Sequence, residues 1–117
     1  MMTAVAIFGA PLAWAAQHVI GFGVTQAGCS RAATRFGVPI DTLVIVVTAV
    51  GVAVAVVACV CAVLVFRATR EAGAKGPPPD GRMHFLAIAA MVVSPLLLAI
   101  MLMSGVGTLI LAGCHQG

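Results

Sequence analysis

Three apolar runs, from about Thr3 to Ala27, from Ile40 to Phe66 and from Phe85 to Ala112, take up nearly the whole chain. A bilayer core of about 30 Å is crossed by roughly 20 helical residues, so each run is long enough to span it. With no water in the hydrocarbon to bond the backbone, a spanning segment must be a helix or a strand of a closed barrel. Strand-length alternation separated by turns is absent from the sequence, which excludes the barrel. The expected fold is an all-α membrane protein of three transmembrane helices, over about 9–28, 40–66 and 85–112, with a Pro-rich loop over 67–84. Composition agrees, with 62 % hydrophobic and 8 % charged residues, against about 25 % charged in soluble domains. No soluble domain that would hold nucleic acid or a soluble substrate is expected; lipid and other membrane proteins are the expected partners.

The first run reads GAPLAWAAQHVIGFGVTQAGC from Gly9 to Cys29. Proline suits a first helical turn, which predicts a helix start near Gly9-Ala10-Pro11. Trp14 then falls one turn inside, at the headgroup boundary. A helix from Thr3 kinked at Pro11 is the alternative. Signal peptides open with positive side chains and none precedes Arg31, so a retained helix is expected. The lipoprotein-like strings QAGC, ending at Cys29, and LAGC, ending at Cys114, are not expected to be processed. The first has Gln26 where an aliphatic residue is usual, and the second lies at the far end of the chain.

The second run is dominated by valine, with small pairs Ala49/Ala53 and Gly51/Ala55 at i, i+4. Such pairs let membrane helices approach closely. In the third, Pro95 after Ser94 predicts a kink, and Ser104 to Thr108 a flexible segment. The 67–84 loop holds Arg67, Arg70, Lys75 and Arg82, whereas the Cys29 to Pro39 connection holds Arg31 and Arg35. By the positive-inside rule this bias puts the N-terminus in the cytoplasm and the C-terminus in the periplasm. The Gly-Pro-Pro-Pro-Asp-Gly core of the longer loop reads as a solvated turn in preference to a ligand for Pro-binding domains.

Three crossings bring the ends of helices one and three to the same face, and each ends on Ala-Gly-Cys. With that face on the oxidising side, a Cys29–Cys114 disulfide is expected, clamping helix one beside helix three. Cys59 and Cys61 form a C-x-C, but helical positions i and i+2 lie about 200° apart. They are expected to be small buried hydrophobes and not a metal site.

Gln17 and His18 interrupt the first run near its middle. An intramembrane imidazole is a functional candidate by default. His84 and His115 are more than about 10 Å away in depth at ~1.5 Å per residue, so one chain cannot build a bis-histidine haem site. A proton relay would need further carboxylates or histidines in register. The four cysteines and Met91, Met101 and Met103 do not align into a soft-metal path. The expectation is that Gln17 and His18, with Trp14, make a helix–helix or partner contact; relay, ligand and transport roles stay open. No catalytic, cofactor-binding or metal-ligating residues are expected.

The order Gly9-x-Pro11-Leu12-x-Trp14, Gln17-His18, Phe22 and Cys29 resembles a group of small three-helix bacterial membrane proteins. Their genes lie beside those of haem–copper cytochrome oxidases. In that group a Gly-Pro-Leu-x-Trp opening leads to a polar or histidine position, an aromatic residue (often tyrosine) and a cysteine. Here Ala10 interrupts Gly-Pro and Phe22 stands for the tyrosine. The resemblance implies an accessory subunit or assembly partner of a respiratory oxidase in a bacterial inner membrane, without chemistry or cofactors of its own. A small oligomeric channel or carrier, or a metal- or haem-handling assembly factor, is the alternative.

Overall fold

The computed structural model describes residues 1–29, 37, 39–71 and 77–111. These form helices α1 (Met2–Gly28), α2 (Ile40–Thr69) and α3 (Asp80–Ile110), each long and apolar enough to cross a membrane. Every helix packs against both others, α1 against α2 most extensively and α1 against α3 least. Asp41 in the first turn of α2 and Arg67 in its last complement the partial charges at the helix ends.

The radial pattern is that of a protein dissolved in lipid. Valines 46, 50, 54, 56, 57 and 60 of α2 face outward. Its inward stripe is Gly51, Ala55, Ala58, Ala62 and Val65, repeating at helical spacing. One central cluster joins Ala10, Ala55, Ala58 and Met101; a second joins Ala6, Ala62 and Ala90 with Cys61 packed against it. Lipid tails are as apolar as leucine, so large side chains gain little by turning inward, and close backbone approach governs the association. A Cβ added at Gly9 would lie 3.0 Å from the Ala58 Cβ, and one at Gly51 would lie 2.6 Å from the Met101 Cε. Of the two small-residue pairs in α2, Gly51/Ala55 is in the seam, whereas Ala49 and Ala53 face out.

Burial is confined to one half of the bundle. Among the described residues the buried positions run from Ala6 to Gln17 on α1, Gly51 to Val65 on α2 and Gly81 to Met101 on α3. From His18, Val50 and Leu102 to the opposite end, no described side chain is buried.

Several expected boundaries move. α1 begins at Met2, not near Gly9, and passes through Pro11. The proline removes one backbone bond, but Ala6 and Ala10 are both in the core, so packing against α2 and α3 holds the preceding turns helical. Trp14 consequently lies about 18 Å along the helix from Met2, three turns in instead of one. α2 extends past Phe66 to Thr69, and α3 starts at Asp80 instead of Phe85, shortening the connection from both sides. α3 is unbroken through Pro95 and through Ser104 to Thr108. Gly105 there serves close approach and not flexibility, since an added Cβ would lie 2.9 Å from the Thr48 Cγ2.

The seam predicts an asymmetric response to added volume. Ala58→Leu should lower stability by about 1–3 kcal/mol through overpacking. Val57→Leu, one residue away on the outward face, should stay within about 0.5 kcal/mol of the parent. Reversible unfolding in mixed micelles by titration with dodecyl sulfate would measure both; equal effects would contradict the seam.

Candidate functional site

Adjacent helical residues project about 100° apart, and this separates Gln17 from His18. Gln17 points into the bundle and is only 6 % exposed, at the last buried position of α1. Its Nε2 donates to the Thr48 Oγ1 on α2 at 3.2 Å. Its Oε1 is buried without a hydrogen-bond partner. His18 is exposed and is tied to its own helix: its Nδ1–H donates to the Trp14 carbonyl at 2.9 Å. The two rings lie 4.8 Å apart at 42°. The Nδ1 bond fixes the tautomer, leaving Nε2 as the acceptor of a neutral imidazole on the outer face.

Beyond Gln17 the helices border a half-open cavity of about 420 Å³. Its walls are Gln17 to Cys29 of α1, Val44 to Thr48 of α2, and Ser104 and Thr108 of α3. Thr25, Gln26, Thr48, Ser104 and Thr108 give it neutral hydrogen-bonding groups, and no Asp, Glu, Lys or Arg is among the described lining residues. Gln17 to Cys29 is about 18 Å of helix, so the cavity runs from mid-helix to the helix end. His18 and Phe22, one turn apart, sit on its rim, exposed and lining it at once. A second cavity of about 310 Å³ between α2 and α3 is apolar, bounded by Ile45, Val52, Leu102 and Leu109.

The expected contact residues therefore divide. Gln17 makes the α1–α2 contact, while Trp14 and His18 form an exposed pair, with His18 at the rim of the cavity. Cys29 stands at the end of α1 beside the polar cavity, whereas Cys114 and His115 lie outside the described residues. Cys59 and Cys61 are free thiols. Cys59 shares a side-chain hydrogen bond with Ser94 of α3, and Cys61 packs against the Ala6 cluster, so they serve different contacts. Among the described residues no three His, Cys, Asp or Glu side chains gather as metal ligands would.

One polar contact was not foreseen. His84, expected in the loop, is 7 % exposed within α3 and stacked on Phe66 of α2, with ring centroids 5.0 Å apart and 25° between planes. The Thr69 hydroxyl donates to the Val65 carbonyl at 2.8 Å and accepts the His84 Nδ1–H at 3.1 Å. The contact locks the end of α2 to the start of α3. Its trace in the sequence is Phe66 and Thr69 at i, i+3, which share a face only if α2 continues past the apolar run.

No protein-family model, curated protein or solved structure matches this chain.

Removing the Thr48 hydroxyl tests the interior contact. Thr48→Val keeps the shape and leaves the Gln17 amide without its partner. A loss of about 0.5–2 kcal/mol is expected in mixed-micelle unfolding, the range of interhelical side-chain bonds in membranes. Gln17→Leu with Thr48→Val should lose less than the sum of the single changes; strict additivity would mean that the bond contributes nothing.

Proposed function

We propose that this chain is a non-catalytic subunit of a larger membrane complex and that α1 is its docking helix. The observation that carries this is the outward pair of Trp14 and His18 near the middle of α1. Polar side chains at membrane depth ordinarily face a bundle interior or a water-filled cavity. Here the imidazole is exposed at the rim of the cavity, its Nδ1 held by the Trp14 carbonyl, and a partner's donor would satisfy its Nε2. A channel through the single bundle is disfavoured, because Ala10, Ala55, Ala58 and Met101 close it beyond Gln17.

The resemblance of Gly9 to Cys29 directs the choice of complex to a respiratory cytochrome oxidase of a bacterial inner membrane. In that setting the N-terminus is cytoplasmic and the Cys29 end of α1 periplasmic, as the distribution of Lys and Arg suggests. Cys29 and Cys114 form a disulfide there, clamping α1 where side-chain packing is thinnest.

The docking reading is tested with His18→Leu in the native membrane. The change makes α1 more apolar, so insertion should be unaffected. Loss of an interhelical bond of about 1–2 kcal/mol would weaken association up to roughly thirtyfold. The variant should be depleted from the complex purified in mild detergent, while turnover of each assembled complex stays unchanged. Undiminished co-purification would make His18 a bystander.

The orientation has its own measurement. In intact cells, a membrane-impermeant thiol reagent should label Cys29 only after reduction, and a cysteine replacing Glu71 not at all. Labelling of Glu71→Cys from outside would reverse the topology, and labelling of Cys29 without reduction would remove the disulfide.

A further inference from the structure

We propose that the polar cavity beyond Gln17 binds the hydroxyl group of an uncharged, lipid-soluble molecule. Its volume, about 420 Å³, falls within the range of small-molecule sites, about 300–1,000 Å³. The described lining offers hydroxyls, amides and an imidazole but no ionised acid, lysine or arginine, so it compensates no ligand charge. Gln17 lines its deep end, and the Oε1 of that side chain is a buried acceptor with no donor, within reach of a ligand once the amide turns toward the cavity. An orphaned buried acceptor costs about 1–3 kcal/mol, which a ligand supplying the donor would recover.

A hydroxyl fits this position better than either a pure donor or a pure acceptor. With the amide oriented so that Nε2 bonds Thr48, the ligand must donate to Oε1. With the amide turned over, Thr48 would donate to Oε1 and the ligand must accept from Nε2. A hydroxyl serves both arrangements. Depth narrows the class further. Gln17 is about 18 Å of helix from Cys29, farther than a headgroup anchored at the surface by a phosphate would follow. The ligand must be soluble in the hydrocarbon and carry its hydroxyl inward. His18 and Phe22 on the rim present two rings one turn apart, suited to an aromatic ligand. Phenols and hydroquinones are one source of such a hydroxyl, and aliphatic alcohols such as diacylglycerols another. Water is the competing occupant, at about 30 Å³ per molecule.

Trp14 is the sole tryptophan and stacks on His18, so its fluorescence reports the cavity rim. The protein would be reconstituted in phosphatidylcholine nanodiscs, whose lipid has no hydroxyl. It would then be titrated with para-hexylphenol, with para-hexyltoluene and with decanol. A saturable change with the phenol, and binding of the toluene at least about tenfold weaker, is the expected result. Decanol binding as tightly as the phenol would assign the site to hydroxyls of either source; weaker binding would assign it to aromatic ones. Gly21→Leu should abolish the response, because an added Cβ there meets nothing within 4 Å and the side chain would enter the void. Gln17→Met should weaken it about tenfold, and it decides alone should Gly21→Leu fail to insert. Equal responses to phenol and toluene, or a phenol response unchanged in the variants, would leave the cavity to water and overturn the proposal.

Discussion

Close approach of small residues is the contact on which this bundle depends. In water, three helices of this length would associate by hiding leucine and valine; in lipid that incentive is absent and backbone proximity takes its place. Ala6, Gly9 and Ala10 meet the stripe Gly51, Ala55, Ala58 and Ala62, and Ala90 and Met101 complete the contact from α3. Met101 is the one large side chain fully enclosed there, an unbranched thioether able to fill the irregular space over Gly51. The same seam explains why Pro11 does not end α1. One lost backbone bond is outweighed by the two buried alanines, Ala6 and Ala10, in the turns that precede it.

The seam also decides where polarity can enter. It stops at Gln17, Gly51 and Met101, and from there to the Cys29 end the helices bury nothing that is described. Gln17 is the boundary residue, half satisfied by Thr48 at the cavity end of α2 and otherwise unsatisfied, its Oε1 buried without a partner. At the other end of the bundle the solution differs. His84, Phe66 and Thr69 close the helix pair with a stacked ring and a fully used hydroxyl. One polar cluster is complete and structural, the other incomplete and open, and only the second asks for something from outside the chain.

The three membrane-length helices could be read directly, because apolar run length is set by bilayer thickness and needs no tertiary information. Helix ends could not. Pro11 and the Arg67-to-His84 segment carry local signals for termini, and each was overridden by packing that only the folded bundle supplies: Ala6 against Ala62 and Ala90, His84 against Phe66. Gln17 and His18 stood out as polar residues in an apolar run, but their division of labour did not. Which of two adjacent residues turns inward depends on where the partner helix lies, and α2 offers stripes of small residues at both Ala49/Ala53 and Gly51/Ala55. The cavity left no trace in the sequence, since Thr25, Thr48, Ser104 and Thr108 are scattered over three helices and look like ordinary tolerated hydroxyls.

The adjacency of Gln17 and His18 gives the two proposed roles a shared geometry. Gln17 forms the floor of the cavity, and His18 lines its rim while presenting its ring to the outer face of α1. Trp14 holds that ring from one turn below, through its carbonyl and its indole. A partner helix laid on α1 would therefore also wall the cavity, and a ligand inside it would touch residues of both chains. Occupancy and docking would then favour each other by the same factor, as linkage between two binding events requires. The coupling passes through one imidazole whose Nδ1 is already committed to Trp14. Its Nε2 can serve the partner or the ligand, and the hydroxyl bound at Gln17 would leave it to the partner.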